Sequence, residues 1–552
     1  MKGNQTRAGL LPRALRSLGL LLCLPLGCLG ADWPQYRGST TDGITPEAIA
    51  TTWLTTSPGF VVWTNSSLTN GFSSFVVSQG RAFTEISMID ESGTNEYCVA
   101  VDAATGTNIW TAVIGDGPWD PGSTSPVTGA AGTPPCNTGD GPRGTPAVEG
   151  GNVLVLSARM VLVSLNWTNG AINWTKDLVA LYGASEPGGG PDYNYNNAAA
   201  PRLGNGLIFV NLNTATDTNP LCAFSTTNGS RVWASTNNET RSLTHCTPVV
   251  ATILGTRQVL FATVTGIVSL DCNTGIQLWK YTYPWGKIDG YMCASPVAYS
   301  NLVFCTALSK GSAVVRVTFT NNVWTASQLW THAYPATSYQ NTWMTPVIYQ
   351  GYIYGQFGTT TYVASPLNCI ELATGNVMWS TNNFGMGGTI LVNNYLLTLT
   401  EDGQLVLSVP NPSAYTELAR FRAFQFTADT PGKCWNSPAY SNGRIYARST
   451  TGAISVNVAP AVAPRPQLML FPPSPLSSTQ MRLTVGTTNG TPIDSSRVPG
   501  IEVRATNRLG GSPLTWPQLT NPLALTADGL VTLTNFVDGA QTQLFFITIE
   551  QP

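Results

Sequence analysis

The chain has 552 residues, and its 27 basic and 29 acidic side chains give a formal net charge of −2. Charged residues make up only 10%, far below the ~25% of an average globular protein. With 54 Gly and 38 Pro, this composition argues against a nucleic-acid-binding protein and favours a turn-rich, all-β protein.

Residues 1–31 have the pattern of an export signal that is removed by cleavage. Four basic residues precede the apolar stretch "LGLLLCLPLGCLGA", which is too short to span a membrane. Removal leaves 23 basic against 29 acidic residues, a net charge of −6. We expect a periplasmic, extracellular or cell-surface protein without a membrane span. Lipid attachment at Cys28 is not expected, because Pro25 stands where a lipoprotein signal has a branched apolar residue.

One phrase recurs along the chain, in which a Gly-containing turn is followed four residues later by Trp. The copies are "DAATGTNIW" (102–110), "NWTNGAINW" (166–174), "STTNGSRVW" (225–233), "DCNTGIQLW" (271–279) and "ELATGNVMW" (371–379). Such a turn between two strands predicts a hairpin. With Trp330 of a degenerate copy, the Trp-to-Trp spacings are 64, 59, 46, 51 and 49 residues, within or just above the range of propeller blades.

A second phrase, Thr/Ser-Pro followed by apolar alternation, precedes most copies and supplies a second hairpin. Its positions predict eight four-stranded blades that start near Phe72, Gly144, Ala198, His245, Cys293, Thr342, Phe384 and Cys434. The last blade lacks a Trp strand, and "GFVVWT" (Gly59–Thr64) has no blade of its own. We therefore predict an eight-bladed β-propeller over 32–458, closed by joining N- and C-terminal strands.

The repeated Trp residues are interpreted as structural. A buried indole removes roughly 150–250 Å² from water, so a ring of them between blades explains the repeat without any ligand. This interpretation covers Trp110, Trp174, Trp233, Trp279, Trp330 and Trp379.

The composition changes after the predicted propeller. Residues 459–478 are rich in Pro and predict an extended linker. Short strands separated by turn residues follow over 479–552 and predict a small β-sandwich. This module serves either as a stabilising appendage or for attachment to a surface or polysaccharide.

Nine cysteines remain after the export signal, and an odd number cannot all pair internally. Most lie inside predicted strands, where a small buried hydrophobe is the simplest interpretation. Cys293 and Cys305 are placed to face one another across a hairpin, but the register is not fixed by the sequence. No Cys/His cluster predicts a metal site.

A candidate ligand site is the set of residues just before the innermost strand of each blade, because these positions converge on the central channel. They are Arg143, Asn197, His245, Tyr291, Trp343, Trp435 and Asn436, with Cys246, Met292 and Met344 beside them. Arg143 is suited to holding a carboxylate, and Trp343 or Trp435 to stacking on a planar ring or a sugar. The alternative is that these residues fill the channel and satisfy loop backbone.

Only two histidines, His245 and His332, occur in the chain, in different predicted blades. His245 is the better acid/base candidate because it faces the channel. No Gly-x-Ser-x-Gly nucleophile motif accompanies it, which favours a structural role.

The pattern D-x-x-T-G-x-x-x-W resembles the tryptophan-docking repeat of the quinoprotein alcohol dehydrogenase superfamily, whose propellers bind pyrroloquinoline quinone (PQQ) or are only PQQ-like. "DWPQYRGSTTDGITPE" from Asp32 and "GDGPRGTPAVEGGNVLVL" from Gly139 resemble secreted PQQ-like repeat proteins of planctomycete and verrucomicrobial bacteria. The resemblance covers about 32–458, and its motifs are specific for fold rather than for activity.

The enzymes of that superfamily hold PQQ between a Trp and an adjacent-cysteine disulfide, beside calcium. This chain has no Cys-Cys pair and no C-x-x-C-H, and no calcium-ligand set can be assigned, with Asp192 and Asp289 as the plausible loop carboxylates. Catalytic residues therefore remain unknown, and no cofactor is expected.

Three function classes remain. The leading hypothesis is a secreted, non-catalytic propeller that binds a protein, glycan or small ligand at the channel face. The second is a PQQ-dependent alcohol or sugar dehydrogenase with a degenerate site. The third is a carbohydrate-binding or polysaccharide-processing propeller.

Overall fold

The computed structural model describes residues 32–91, 93–117, 141–185, 196–214, 219–235, 244–286, 292–308, 310–333, 339, 341, 343–357, 365–427, 432–460, 466–508, 515–536 and 544–550. The predicted export signal lies outside this range. The chain divides into two compact units, Met1–Pro460 and Ala461–Pro552. No helix in the described ranges is long and apolar enough to cross a membrane.

The first unit is built almost entirely of short strands with apolar, buried centres. In chain order they are β1 (Ile44–Thr45), β2 (Val61–Asn65), β3 (Val76–Ser78), β4 (Arg81–Asp90), β5 (Gly93–Asp102), β6 (Asn108–Asp116), β7 (Ala147–Glu149), β8 (Asn152–Leu156), β9 (Val161–Asn166), β10 (Ile172–Asp177), β11 (Arg202–Gly204), β12 (Leu207–Asn211), β13 (Leu221–Ser225), β14 (Arg231–Ala234), β15 (Val249–Ile253), β16 (Thr256–Ala262), β17 (Gly266–Asp271), β18 (Gln277–Thr282), β19 (Val297–Tyr299), β20 (Leu302–Ala307), β21 (Gly311–Thr320), β22 (Val323–Ala333), β23 (Val347–Tyr349), β24 (Tyr352–Gln356), β25 (Leu367–Glu371), β26 (Val377–Thr381), β27 (Gly388–Val392), β28 (Tyr395–Leu399), β29 (Gln404–Val409), β30 (Thr416–Arg422), β31 (Ala439–Ser441), β32 (Arg444–Ser449) and β33 (Gly452–Asn457). Among the described residues of this unit, one α-helix, α1 (Leu178–Tyr182), follows β10 and ends at Gly183.

These strands form eight antiparallel meanders in the described part of the chain. They are sheet 1 (β3–β6), sheet 2 (β7–β10), sheet 3 (β11–β14), sheet 4 (β15–β18), sheet 5 (β19–β22), sheet 6 (β23–β26), sheet 7 (β27–β30, with β1 added in parallel) and sheet 8 (β31–β33, with β2). The first strand of each sheet contacts the first strand of its neighbour along the run from β31 through β3 to β27. Adjacent sheets that meet along their first strands are arranged as in a β-propeller, with those strands innermost.

The ring is closed by strands from both ends of the unit. β2 pairs antiparallel with β33, with Thr64 opposite Ile454, so sheet 8 takes its outer strand from the N-terminal region. Trp63 of β2 donates its indole N–H to Ala103 O at 3.1 Å, in sheet 1. This pairing is the one expected from the sequence, and it covers two edges that would otherwise be open.

Four of the six repeated Trp residues, and Trp63 of β2, dock on a Gly in the turn of the following sheet. At five turns a Cβ added to the Gly would lie 2.5–2.9 Å from an indole ring. The pairs are Gly106 with Trp63, Gly170 with Trp110, Gly229 with Trp174, Gly275 with Trp233 and Gly375 with Trp330. Several of these indoles also donate to a carbonyl of that turn, as Trp233 does to Cys272 O at 3.0 Å and Trp330 to Leu372 O at 2.8 Å. The conserved spacing of Gly and Trp in the repeat therefore encodes contact between neighbouring sheets.

Two repeated Trp residues depart from this pattern. Trp279 is buried, but its indole donates to Gln258 Oε1 of its own sheet, because sheet 5 has the turn Asn321-Asn322 in place of Thr-Gly. Trp379 is only partly buried and donates to Asn411 O. The docking contact is thus adapted where the turn sequence differs.

The Thr/Ser-Pro phrase links neighbouring sheets close to the channel. The hydroxyls of Thr145, Thr247 and Thr345 accept the main-chain N–H groups of Ser74, Ala200 and Ser295 at 2.9–3.1 Å. Each bond joins two consecutive sheets just before their innermost strands. The hydroxyl explains why Thr recurs at this position of the phrase.

Residues 33–50, here called the plug segment, cross one end of the channel. The segment bonds to innermost strands through Trp33 and Val77, through Pro34 O and Val148 N, and through Thr41 Oγ1 and Val250 O. β1 then pairs in parallel with β27. A single segment that bonds to innermost strands on opposite sides of a ring must lie across its axis.

Arg37 anchors the plug segment. Its guanidinium is buried and donates to Thr345 O and Pro346 O at 2.7 Å, at the start of sheet 6, and to Asp42 O at 2.7 Å. Arg202 of sheet 3 donates in turn to Tyr36 O at 3.0 Å. Burial lowers the pKa of Arg37 and lowers that of Arg202 to about 9.

The second unit contains two sheets that share one apolar cluster. Its strands are β34 (Leu468–Leu470), β35 (Ser474–Pro475), β36 (Gln480–Thr487), β37 (Ile501–Thr506), β38 (Ala524–Leu525), β39 (Val531–Phe536) and β40 (Phe545–Glu550), with a 3₁₀ helix at Ser495–Gly500. One sheet has the order β34-β36-β39-β38 with β35 also on β36, and the other is β37-β40. Leu483, Val503 and Leu533 belong to the common cluster.

The prediction of a linker over 459–478 was wrong for its second half. Leu468–Leu470 and Ser474–Pro475 both pair with β36 and belong to the sheet. The Pro content suggested an extended spacer, but the apolar run "LMLF" provides side chains that a sheet can bury, and edge strands tolerate Pro.

The described cysteines are free thiols. Cys98, Cys222, Cys246, Cys272, Cys305, Cys369 and Cys434 are buried, and Cys293 is half-buried. Cys293 and Cys305 therefore form no disulfide. Burial raises the pKa of both thiols to about 12, as expected for small apolar side chains.

Replacing Gly275 with Ala should lower the free energy of unfolding by about 3–5 kcal/mol, because strain at positive φ adds to displacement of a packed ring. The added methyl would lie 2.5 Å from the Trp233 ring, where φ is +70°. Urea unfolding followed by tryptophan fluorescence measures the loss. Gly255→Ala is the matched control, since its φ is +81° but nothing lies within 4 Å. It should cost only about 1–2 kcal/mol; equal losses at the two sites would contradict the docking role.

Arg37→Met should destabilise the protein by roughly 3 kcal/mol or more, because it leaves buried carbonyl groups without a donor. Arg422→Met removes an exposed guanidinium that pairs with Asp402, and should cost less than about 1 kcal/mol. Thermal unfolding of the two variants beside the wild type makes the comparison. A loss at Arg37 no greater than that at Arg422 would show that the plug segment contributes little to stability.

Candidate functional site

The predicted site residues lie at the end of the channel opposite the plug segment. Each predicted residue lies a few residues before an innermost strand: Arg143, His245, Trp343 and Trp435 four residues before it, Asn197 five, and Asn436 three. Because each innermost strand runs in the same direction along the channel, these residues form one rim, here called the upper rim. The turns after the innermost strands form the lower rim. Tyr291 lies outside the described residues, as do Asp192 and Asp289.

An aromatic cluster occupies one side of the upper rim. The Trp435 ring lies 4.5 Å from that of Trp343 and 5.1 Å from that of Phe72, centroid to centroid. Lys433 Nζ lies 3.6 Å from the Trp435 centroid, which is a close cation–π contact. Three protein groups therefore already pack on Trp435, so the ring is not an open stacking platform.

Glu401 ties this cluster to sheet 7. Its Oε1 accepts the Trp435 indole N–H at 2.8 Å, and its Oε2 accepts the main-chain N–H of Met386 at 3.0 Å. Burial raises the pKa of Glu401, while these two hydrogen bonds and Lys433 act in the opposite direction. The Trp343 indole donates to Met386 O at 3.2 Å. Both rings are held by polar contacts as well as by packing.

Arg143 lies on the other side of Phe72. Its guanidinium carbon is 5.8 Å from the Phe72 centroid, and the side chain is half-buried. The Arg143 charge also acts on His245 and Cys293, two sheets or more away. Burial lowers the pKa of His245 and the Arg143 charge adds to that effect, whereas burial raises the pKa of Cys293 and the Arg143 charge offsets part of the rise. The structure thus brings Arg143, His245 and Cys293 near one another across the rim.

His245 is fitted for structure rather than acid/base catalysis. The side chain is buried, and desolvation followed by the Arg143 charge lowers its pKa to about 3. Its main-chain N–H donates to Met292 O at 2.9 Å. An imidazole with that pKa is a weak base at neutral pH. His332 lies elsewhere, stacked on Tyr339 at 3.8 Å.

Asn197 and Asn436 serve the backbone of the rim. Asn197 Nδ2 donates to Leu156 O at 3.2 Å and to Ala199 O at 3.0 Å, and its Oδ1 accepts from Ala199 N. Asn436 Nδ2 donates to Ser73 O at 3.3 Å, which joins sheet 8 to sheet 1. For these two residues the alternative of satisfying loop backbone fits the geometry better than ligand binding.

Sequence reasoning missed a pair of buried carboxyl groups close to the rim. Glu85 of β4 and Glu96 of β5 are 0% and 1% exposed. Burial and the neighbouring Glu96 raise the pKa of Glu85 well above its usual range, and burial raises that of Glu96 to about 7. Glu96 Oε2 accepts the Ala158 N–H at 2.9 Å. The only signal in the sequence is an acidic residue inside each of two otherwise buried strands.

Arg448 lies beside this pair and is fully buried. It donates to Thr84 Oγ1 at 2.7 Å and to Glu85 O at 2.6 Å, and its charge acts to lower the pKa of Glu85. The guanidinium bonds to this hydroxyl and to main-chain oxygens rather than to the Glu85 carboxylate. The pair is thus left to hold a proton.

The described residues do not fit PQQ with calcium. They bring together no group of three or more His, Cys, Asp or Glu side chains around one point. The two rim tryptophans pack on each other rather than opposite an open slot. Calcium requires six to eight oxygen ligands, of which carboxylates are the strongest.

Comparison with known proteins identifies the fold. Residues 94–381 match the family model described as the outer membrane protein assembly factor BamB. Quinohemoprotein alcohol dehydrogenase from Comamonas testosteroni is similar in structure, with 14% identity, a TM-score of 0.51, and 85% of this chain and 84% of that chain covered. The quinohemoprotein alcohol dehydrogenase ADHIIG from Pseudomonas putida HK5 is also similar in structure, with 13% identity and a TM-score of 0.52. The match covers 81% of this chain and 83% of that chain.

BamB from Moraxella catarrhalis has 16% identity and a TM-score of 0.42, with 65% of this chain and 90% of that chain covered. No match was found among curated proteins. At these identities the similarity to solved structures shows the β-propeller fold.

Glu85→Gln should raise the free energy of unfolding by at least about 1 kcal/mol at pH 8 and leave it unchanged at pH 4. The size at pH 8 follows because a shift of one pKa unit corresponds to about 1.4 kcal/mol. A carboxyl whose folded pKa is raised contributes stability that is complete below its unfolded pKa and is lost as the pH rises. The free energy of unfolding of the wild type should therefore decrease as the pH rises from about 4.5 to 7 and beyond. In the variant this decrease should be smaller. Glu417→Gln is the control, because Arg420 lowers the pKa of Glu417, so that its contribution is lost only in acid. Equal slopes above pH 5 for Glu85→Gln and wild type would show that Glu85 does not hold the proton.

Proposed function

The chain belongs to the PQQ-like β-propeller family described as the outer membrane protein assembly factor BamB, and from that premise we propose that it is an exported, non-catalytic binding protein that takes its partner at the upper rim. We interpret the eight sheets as eight blades of one ring and the second unit as a small β-sandwich. Cleavage of the first 31 residues would release the protein in the periplasm, outside the cell or at its surface.

The observation that carries this proposal is the composition of the upper rim. Among the described rim residues, the groups that could act as a base are either hydrogen-bonded, as Glu401 is with Trp435 and Met386, or buried and neutral, as His245 is. Hydrolysis would require a nucleophile, a base and an orienting acid, and His245 is too weak a base for that role. Binding needs none of these groups.

The chemistry of the rim favours a carboxylate-bearing partner. Arg143 is half-exposed there, and a guanidinium can hold a carboxylate through two parallel hydrogen bonds. Lys433 adds a second positive charge on the far side of Phe72, 5.9 Å from its centroid. We propose that an acidic segment of a partner protein lies on Arg143 and over the aromatic cluster. No cofactor takes part.

A PQQ-dependent dehydrogenase with an altered site is the second candidate, favoured by the fold shared with two quinohemoprotein alcohol dehydrogenases. Calorimetric titration with PQQ and calcium, followed by a dye-linked assay of alcohol and glucose oxidation, separates the two candidates. We expect no calcium-dependent turnover. Turnover would move the chain to the dehydrogenases.

A synthetic hexaglutamate peptide tests the proposed binding directly. The wild type should bind it in low salt, and Arg143→Gln should weaken binding at least about tenfold, the size of one charged hydrogen bond. Arg422→Gln is the control, because Arg422 is an exposed arginine outside the rim. Absence of binding, or equal weakening in the two variants, would contradict carboxylate recognition at the upper rim.

A further inference from the structure

A cavity of about 410 Å³ lies at the lower rim, at the other end of the channel from the site proposed above. Its walls come from the plug segment and from the innermost strands and turns of sheets 3, 4 and 5. The volume falls within the range of small-molecule sites, which is ~300–1,000 Å³. None of its lining residues belongs to the upper rim.

The cavity exists because the plug segment does not bond to every sheet. In the described residues, its hydrogen bonds go to sheets 1–4 and 6–8, through partners that include Val77, Val148, Leu203, Val250 and Tyr440. Sheet 5 instead contributes Pro296–Ala298 and Ser300 to the cavity wall. The gap between the segment and sheet 5 is therefore built into the fold.

Two opposite charges line the cavity without forming an ion pair. Asp42 Oδ1 accepts the Thr40 hydroxyl at 2.6 Å and the Ile44 N–H at 3.0 Å, which fixes the carboxylate. Arg257 of β16 reaches across to sheet 3, where its Nη2 lies 3.1 Å from a Cβ built on Gly204. Neither side chain has a salt-bridge partner among the described residues. The buried Arg37 attracts the Asp42 carboxylate over a longer distance.

Gln35 supplies a neutral donor to the same cavity. The side chain is 7% exposed, and its Oε1 accepts the Leu203 N–H at 3.0 Å. Its amide nitrogen donates to no described group, and a ligand in the cavity can therefore accept from it. The aliphatic part of the wall is formed by Leu203, Val250, Pro296 and Val297.

The backbone at the cavity is strained. Thr41, which lines the cavity, has φ +68°, an outlier for a β-branched residue. Its hydroxyl donates to Val250 O at 3.1 Å, which holds the turn against sheet 4. Strain of this kind persists where the surrounding structure fixes a residue for a purpose, and binding sites are frequent examples.

We propose that this cavity binds a short zwitterionic peptide, with its ammonium group at Asp42, its carboxylate at Arg257 and its aliphatic side chains against Leu203, Val250 and Pro296. A sphere of 410 Å³ is about 9 Å across, and two residues of extended chain span about 7 Å, so a dipeptide fits. A saccharide is less suited, since no aromatic ring lines the cavity to stack on a sugar. A polyanion would be repelled by Asp42.

Calorimetry with L-alanyl-L-leucine as the probe tests the proposal on the full protein. The free dipeptide should bind, while N-acetyl-alanyl-leucine and alanyl-leucine amide should each bind at least about tenfold more weakly, because each lacks one charge. Absence of binding by the folded wild type at millimolar dipeptide, equal binding of the amide, or tighter binding of sucrose would each overturn it.

Two variants assign the ends of the peptide. Arg257→Gln should weaken binding of the free dipeptide at least about tenfold but should leave binding of its amide unchanged, because the amide has no carboxylate to lose. Asp42→Asn, which keeps the oxygen that accepts from Ile44 N, should behave in the same way towards the N-acetyl form. If the variant and the modified peptide each weaken binding and their effects add, in either comparison, the assignment of that end of the peptide is overturned.

Arg143→Gln at the upper rim is the control and should leave dipeptide binding unchanged. The proposal for the lower-rim cavity is therefore tested independently of the proposal for the upper rim. Circular dichroism checks that each variant is folded. The comparison of the three peptides on the wild type stands even if a variant fails to fold.

Discussion

The contact between each indole and the glycine of the next turn is the interaction on which the ring depends. A propeller sheet is hydrophobic on both faces and cannot be stable alone, so it must pack against a neighbour on each side. The indole fills the gap near the outer edge, where neighbouring sheets diverge, and its N–H satisfies a carbonyl of the turn. Only Gly allows the ring to approach so closely while also adopting positive φ.

Ring closure extends this constraint to the N-terminal region. Trp63 lies far in sequence from the sheet whose outer strand it completes, yet it makes the same contact with Gly106 that the internal copies make with their neighbours. Since every sheet has two neighbours, loss of one contact exposes apolar surface on both sides of a gap. The plug segment adds bonds that cross the axis, which tie distant sheets together directly.

Buried arginines are a second theme of the channel. Arg37, Arg202 and Arg448 are fully buried, and in the described structure each donates to main-chain carbonyl groups rather than to a carboxylate. Innermost strands are short and leave carbonyl groups unpaired near the axis, and a guanidinium has five donors in a planar array that can reach several of them. Much of the positive charge in this channel is thus structural, whereas the partly exposed Arg143 at the upper rim and Arg257 in the lower-rim cavity are placed for ligands.

The sequence by itself determined the repeat, the all-β fold, the position of each hairpin, and the use of Gly59–Thr64 to complete the last sheet, because these depend on local spacing of Gly, Trp and apolar residues. It also placed Arg143, His245, Trp343 and Trp435 at one rim. Only the tertiary structure decided that Trp435 is covered by Lys433 and Phe72, that Glu85 and Glu96 are buried together, and that residues 33–50 cross the channel to form a cavity with sheets 3, 4 and 5. These features join residues that are tens to hundreds of positions apart, and their burial and charge depend on neighbours that no local pattern specifies.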